Sequence, residues 1–168
     1  SFSQTNLVPN PSFEIYSACP NNPGPYEFDS VLTWINPSRG WGTPDYFNQC
    51  ATGGVNVPNN FNGFQQANSG AAYCGLVCYY STPPNFREYI ETPLSSSLTA
   101  GTSYLFNMYV SLANGSQFAS DAIGVYFSDT IVNGITNWNP LSFTPQINNL
   151  NGLITDTFFS IFFGASIC

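Results

Sequence analysis

Apolar side chains recur at every second position along Tyr104-Leu105-Phe106-Asn107-Met108-Tyr109-Val110-Ser111-Leu112. A period of two places alternate residues on one face of a β-strand, whereas a helix repeats about every 3.6 residues. The stretch therefore predicts a strand whose core-facing side is formed by Tyr104, Phe106, Met108, Val110 and Leu112. The same alternation continues at Ile123, Val125 and Phe127, within residues 122–128.

Further short strands are expected at residues 6–8, 12–15, 30–34, 72–80, 86–91 and 157–163. Turn clusters of Asn, Gly and Pro separate them, and no long segment keeps a helical apolar stripe. This pattern predicts an all-β fold, an antiparallel β-sandwich of the jelly-roll kind, formed by residues 4–168 as a single domain. Residues 17–70 are unusually loop-rich, and such long loops are either functional or stapled by cross-links.

The chain contains no histidine and no lysine. Without His there is no Ser/His/Asp or Cys/His relay and no His-ligated zinc, and without Lys there is no Schiff base. Carboxylate pairs for glycoside hydrolysis can be drawn, such as Glu88 with Asp121 or Glu91 with Asp45, but no local motif favours them. The sequence therefore predicts a protein that is not an enzyme.

Charge and hydropathy restrict the partners. The formal net charge is −7, and nucleic acid and anionic lipid headgroups both require a basic patch. No apolar run approaches the roughly 20 residues of a membrane-spanning helix. We therefore expect no nucleic-acid partner and no membrane insertion.

The N-terminal residues and the cysteines indicate export. Residues 1–3 are typical of a signal-peptide remnant, which predicts a secreted or cell-surface protein. Five cysteines suit an oxidising compartment, and Cys19 and Cys50 lie in loop-rich segments, so a disulfide between them is expected. On a strand, Cys74 and Cys78 would be about 13 Å apart, too far to bond, and are expected to be buried thiols. The pairing of Cys168 is left open between a free thiol and a cross-link between chains.

Several separated segments resemble known families. The opening of the chain is similar to the first strand of galactose-binding-like jelly rolls, which include several carbohydrate-binding module families; it reads Asn6-Leu7-Val8-Pro9-Asn10-Pro11-Ser12-Phe13-Glu14. Four more segments resemble the N-terminal domain of exported Bacteroidota surface proteins linked to gliding motility and type IX secretion. They are residues 43–50, 87–92, 110–113 and 121–128.

The resemblance implies a surface role and raises a question about the C-terminal strands. From residue 157 the chain departs from the pattern of these relatives and becomes Phe-rich, so its late strands are expected to be shortened. A shortened jelly roll would leave an unpaired strand edge, which another copy of the chain could complete by strand addition. A fragment or a divergent last strand explains the same departure.

The resemblance also implies a metal and a modification. Glu14 matches the acidic residue of the structural calcium site in calcium-bearing jelly rolls, so a structural Ca²⁺ is a possible cofactor and no other cofactor is expected. Asp29-Ser30-Val31 and Asp129-Thr130-Ile131 resemble the O-glycosylation site of Bacteroidota, which makes Ser30 and Thr130 candidate attachment sites.

Arg87 and Glu88 are consecutive residues of a predicted strand and face opposite sides. Glu88 shares its side with Phe86 and Ile90 and is expected to be buried in an ion pair, with Arg39 as the candidate partner. Arg87 and Glu91 are expected to point outward.

Aromatic residues make up 17% of the chain, and those in loops are the candidates for ligand contacts: Trp41, Tyr46, Phe61 and Phe64. Exposed aromatics form protein interfaces, and they also stack against sugar rings. We therefore expect a non-catalytic extracellular surface domain for adhesion or for surface or filament assembly, with a glycan, a surface protein or copies of itself as partner. The alternative is a carbohydrate-binding module that recognises a polysaccharide through these loop aromatics.

Overall fold

The computed structural model describes residues 5–24, 27–81 and 85–157, and the backbone of residues 161–167. Its strands are β1 Asp45–Asn48, β2 Asn59–Asn60, β3 Gly63–Phe64, β4 Ala72–Gly75, β5 Tyr104–Val110, β6 Gly124–Val125, β7 Ile147–Asn148 and β8 Ile161–Ile167. They form four two-stranded antiparallel sheets, β1 with β4, β2 with β3, β5 with β8 and β6 with β7. In the described residues the helical structure is one 3-10 turn, Phe28–Ser30, which confirms the prediction of an all-β chain. The jelly-roll arrangement stays a prediction.

Strand β5 shows the predicted alternation but a weaker burial. Tyr104, Phe106, Met108 and Val110 are half-buried, while Leu105, Asn107 and Tyr109 between them are exposed. All seven residues pair with β8, from Tyr104 opposite Ile167 to Val110 opposite Ile161. The expected core face is therefore not enclosed, because β5 belongs to a ribbon of two strands rather than to a large packed sheet.

Other predicted strands are shorter than expected or absent. Within residues 30–34 and 86–91 there are only single bridges, Val31 with Tyr16 and Glu91 with Ile35. Residues 6–8 and 12–15 form no strand. The backbone between and within them is interrupted by the left-handed conformations of Asn10 (φ 49°) and Phe13 (φ 62°), which extended pairing does not tolerate.

The hydrophobic core lies on both sides of β1. Successive side chains of a strand point to opposite faces, so Tyr46 enters one cluster with Phe28 and Val31, and Phe47 enters the other with Val55. Tyr73 and Phe61 stack against Phe47, with ring centroids 4.9 and 5.7 Å away. The loop-rich segment 17–70 thus supplies much of the core.

A disulfide closes this segment. Cys19 and Cys50 are bonded, with their Cα atoms 5.9 Å apart, as the sequence predicts. Cys74 and Cys78 are free thiols as predicted, but both are half-buried rather than buried. Cys168 and the signal-peptide remnant at residues 1–3 lie outside the described residues. None of the described helical structure is long and apolar enough to span a membrane.

A candidate binding site between two tryptophan loops

The loop that carries Trp41 is held from inside by Asn36. This side chain is buried, its Nδ2 donates to the carbonyl of Gly42 at 2.8 Å and its Oδ1 accepts from the Ser38 amide at 3.0 Å. The amide of Trp41 donates in turn to the Ser38 carbonyl at 2.7 Å. Trp41 therefore projects from a closed turn, with 37% of its surface exposed.

Glu88 fixes the chain that follows this turn. The carboxylate is buried and accepts hydrogen bonds from the amide of Thr43 at 2.6 Å, its hydroxyl at 3.2 Å and the amide of Val77 at 2.8 Å. Glu88 is buried, as predicted. However, the predicted ion pair between Glu88 and Arg39 is not formed. Arg39 is exposed and lies 3.8 Å from Asp29 in a surface ion pair, because backbone amides already satisfy the Glu88 carboxylate.

A second loop, residues 132–143, lies beside Trp41. It is anchored at both ends, since the Val132 amide donates to the Glu91 carboxylate at 3.1 Å and the Leu141 amide to the Tyr89 hydroxyl at 2.9 Å. Its central residue Trp138 is 45% exposed. The Trp138 ring meets the Trp41 ring edge to face, with centroids 5.0 Å apart and planes at 71°. Glu91 is thus engaged by the loop, whereas the sequence predicts an outward side chain.

The second loop lines an open hollow of about 310 Å³ at the surface. In the sequence, Trp138 stands between two of the residues that line the hollow, Asn137 and Asn139. The lining side chains are apolar or are neutral amides and hydroxyls; the polar ones are Asn133, Thr136, Asn137, Asn139 and Ser142. No charged residue contributes to the described lining. Neither Trp41 nor Trp138 is among the lining residues, and we call the contact between these two rings the tryptophan site.

The other candidate aromatics lie elsewhere. Tyr46 is fully buried, and its hydroxyl donates to the Phe13 carbonyl at 2.8 Å while accepting from Asn48 at 2.7 Å. Burial raises the pKa of Tyr46 to about 12. It belongs to the core rather than to a loop, because it lies in β1. Phe61 and Phe64 are exposed on the β2–β3 hairpin, at 50% and 40%, and do not lie with Trp41 in the tryptophan site.

Glu14 holds the backbone rather than a group of metal ligands. Its Oε1 accepts hydrogen bonds from the amides of Ala71 and Ala72 at 2.8 and 3.0 Å. Among the described residues, no group of three or more Cys, Asp and Glu side chains could hold a metal ion. This donor set does not match the six to eight oxygen ligands that Ca²⁺ takes. The calcium site stays a prediction, which a comparison of melting temperatures in Ca²⁺ and in EDTA tests.

A second cluster of ionisable groups lies beneath β1 and β4. Burial raises the pKa of Asp45 to about 6, and the charge of Glu88 adds to this effect. Burial also raises the pKa of the Cys74 thiol, again with contributions from Glu88 and Asp45. A thiol with a raised pKa is a poor nucleophile near neutral pH, so the cluster has the character of a structural site.

The two candidate glycosylation residues differ in their surroundings. Ser30 is half-buried at the end of the 3-10 turn, and its hydroxyl donates to the Glu27 carbonyl at 2.7 Å. Thr130 is exposed, with its hydroxyl 3.5 Å from that of Ser128. Thr130 is therefore the more accessible of the two.

Comparisons with protein-family models, with curated proteins and with solved structures gave no match. The function of the chain is therefore inferred from its own residues. Sequence reasoning did not single out Trp138 as a ligand contact. An aromatic in an Asn- and Pro-rich loop was the available signal, but Trp41 and Trp138 are 97 residues apart in the sequence, so their contact leaves no local pattern.

Proposed function

We propose that this chain is a non-catalytic, secreted surface domain with a jelly-roll fold, which acts in adhesion or in surface or filament assembly. The observation that carries the proposal is the number of large apolar side chains at the surface. Those exposed by half or more include Phe61, Tyr80, Leu105, Tyr109 and Phe118. Aromatic residues are enriched in protein interfaces, and such exposure is typical of surfaces that associate.

The open edges of the β5–β8 ribbon support assembly between copies. In a two-stranded antiparallel sheet each strand directs half of its backbone amides and carbonyls away from its partner. Both strands are seven residues long, and within the described residues neither has a second neighbour. These edges suit the addition of a strand from another copy.

Light scattering over a range of concentrations tests this proposal. We expect the average mass to rise with concentration, and Leu105→Asp to reduce the rise, because Leu105 is 65% exposed on β5. Leu150→Asp is the matched control, since Leu150 is 91% exposed but lies outside the ribbon. A monomer at every concentration that is also not retained on any cell surface would contradict the proposal.

Carbohydrate binding is the second candidate function. Two separate features favour it: the exposed rings of the tryptophan site, and a hollow in the second loop lined by apolar and neutral polar side chains. Ligand sites commonly combine aromatic walls with a few polar groups that fix orientation. A fluorescence titration with glycans separates this candidate from pure protein association.

A further inference from the structure

We propose that Asn133 is a site of spontaneous modification, at which water converts the side-chain amide into a carboxylate by deamidation. The inference goes beyond the proposed function and does not depend on it. The chain contains four Asn-Gly sequences, in which the glycine has no side chain to shield its backbone nitrogen. They are Asn62-Gly63, Asn114-Gly115, Asn133-Gly134 and Asn151-Gly152. The fold restrains the other three and leaves the sequence at Asn133 open to reaction.

The reaction requires only the chain and water. The backbone nitrogen of Gly134 gives up its proton and attacks Cγ of Asn133, which closes a five-membered succinimide ring and releases the side-chain nitrogen as ammonia. Water then adds to one of the two ring carbonyls. Cleavage of the new bond to Cγ gives aspartate, and cleavage of the original peptide bond gives isoaspartate. Attack requires the nitrogen and Cγ to approach each other, so the peptide between the two residues must be able to rotate.

The sequences at Asn62 and Asn114 hold each other in place. The Gly115 amide, which would attack Asn114, donates to the Asn62 carbonyl at 2.9 Å. The Oδ1 atom of Asn114 accepts from the Phe64 amide at 2.7 Å. Asn114 also packs so closely on Gly63 that a Cβ atom there would lie 2.6 Å from the Asn114 Cβ. Each hydrogen bond that must break before attack slows the reaction by about two- to tenfold.

The sequence at Asn151 is held on both sides by Asn149, whereas the sequence at Asn133 is not held. The Asn151 amide donates to Asn149 Oδ1 at 2.9 Å, and Asn149 Nδ2 donates to the Gly152 carbonyl at 2.8 Å. No described residue forms a hydrogen bond with Asn133 or Gly134, and both residues are exposed. Among the described residues, no atom outside the adjoining residues lies within 4 Å of the place that a Gly134 Cβ would take. Rotation of this peptide therefore breaks no such bond.

Deamidation changes the charge of the second loop at two points. Asn133 lines the hollow, where the described lining contains no charged residue, so the product places a carboxylate there. Asn133 also follows Val132, whose amide anchors the loop by donating to the Glu91 carboxylate at 3.1 Å. A second negative charge beside this bond repels Glu91, and isoaspartate adds a methylene group to the backbone next to it. The anchor of the loop at Val132 is therefore weaker after the reaction.

The test is peptide mapping of the folded protein by mass spectrometry during incubation at mildly alkaline pH in water enriched in heavy oxygen. Each product takes up one oxygen atom from water, which marks the site that has reacted. We expect Asn133 to react about tenfold or more faster than Asn62 and Asn114, because two hydrogen bonds restrain that pair. Asn151 should react at an intermediate rate.

Two controls separate the effect of the fold from that of the sequence. In the reduced chain unfolded by urea the four rates should converge, because every site has the same Asn-Gly chemistry. Asn133→Gln should remove the product at this position and leave the other three rates unchanged, because a glutamine would have to close a larger ring. Equal rates at Asn133 and Asn114 in the folded protein, or a faster rate at Asn114, would overturn the proposal.

Amide hydrogen exchange tests the effect on the loop. Asn133→Asp mimics one product and should speed exchange of the Val132 amide by about two- to fivefold. Asn137→Asp is the matched control, because it adds the same charge to the lining of the hollow at a position away from Val132, and it should leave that exchange unchanged. Equal exchange of Val132 in both variants would show that its anchor does not respond to the charge at residue 133.

Discussion

At the scale of single residues, the carboxylate of Glu88 joins two segments that are far apart in the sequence. It accepts from the Thr43 amide and hydroxyl on one side and from the Val77 amide on the other. Backbone amides buried without an acceptor are costly, and hydrogen bonds to a charged group are stronger than neutral ones. Glu88 therefore links the chain after the Trp41 turn to the segment that follows β4, in addition to the pairing of β1 with β4.

Glu88→Ala should lower the free energy of unfolding by about 3 kcal/mol, because two amides and a hydroxyl lose their acceptor. Urea denaturation measures the change. Asp129→Ala is the control, since Asp129 is exposed and should change stability by less than about 0.5 kcal/mol. An equal, small effect of both substitutions would show that the Glu88 contacts contribute little.

Asp45 should make stability depend on pH. Its folded-state pKa is about 6, above the ordinary value of 3.8, because of burial and the nearby Glu88. The folded state therefore binds the proton more tightly than the unfolded state, and the contribution of Asp45 to stability grows as the pH falls from about 7 to about 4. Asp45→Asn removes this contribution, so the variant should gain most relative to the wild type near pH 7.

Denaturation midpoints of both proteins at several pH values measure this difference. The Gly24 amide donates to Asp45 Oδ1 at 3.2 Å, and an Asn oxygen can accept the same bond, so the substitution is conservative. A difference between the two proteins that is constant from pH 4 to pH 7 would contradict a raised pKa for Asp45.

Residue-scale predictions from the sequence succeeded where the signal was local. The burial of Glu88 was expected from its apolar neighbours Phe86 and Ile90 on a predicted strand; Glu88 is buried in the structure, although that strand is not formed. Its partners were missed, because a bond from Glu88 to an amide 45 residues away leaves no pattern in the sequence. The hydrogen bonds from the amides of Ala71 and Ala72 to Glu14 were missed for the same reason, because they also join residues far apart in the sequence.

At the scale of elements, the disulfide secures a region that has little regular structure. Cys19 and Cys50 are 31 residues apart, and the segment between them holds β1 and the 3-10 turn. Replacing both cysteines by serine should lower the free energy of unfolding by about 3 to 4 kcal/mol on the chain-entropy account. The control is Cys78→Ser, which removes a free thiol, and thermal denaturation compares the two variants. Similar melting temperatures for the two variants would contradict the predicted contribution of the disulfide to stability.

The elements show which sequence patterns are informative. Period-two alternation located β5 to within two residues, because the pattern continues over seven positions. The segment 17–70 was expected to be mostly loops, and its strands are indeed short, but it supplies core residues such as Phe28 and Val55. These residues are buried by packing against Tyr46 and Phe47 of β1 from irregular segments, which have no periodicity.

At the scale of the whole molecule, few charges and many exposed aromatics distinguish the chain. Only 7% of its residues are charged, while Trp41, Tyr80, Phe118 and Trp138 all lie at the surface. A surface of this composition is poorly protected against association, and that property underlies the proposed function. Within the described residues β5 and β8 pair only with each other, and the proposed association would use their outer edges.

Amide hydrogen exchange along β5, measured at low and at high protein concentration, tests assembly through this ribbon most directly. At low concentration every second amide from Tyr104 to Val110 should exchange slowly, because these amides bond to β8, while the others point to the side on which the described residues provide no further strand. At high concentration the account predicts that the remaining amides become protected as well, when a strand of another copy pairs with β5. Unchanged alternation at both concentrations, in a sample whose mass stays that of a monomer, would contradict assembly through this edge.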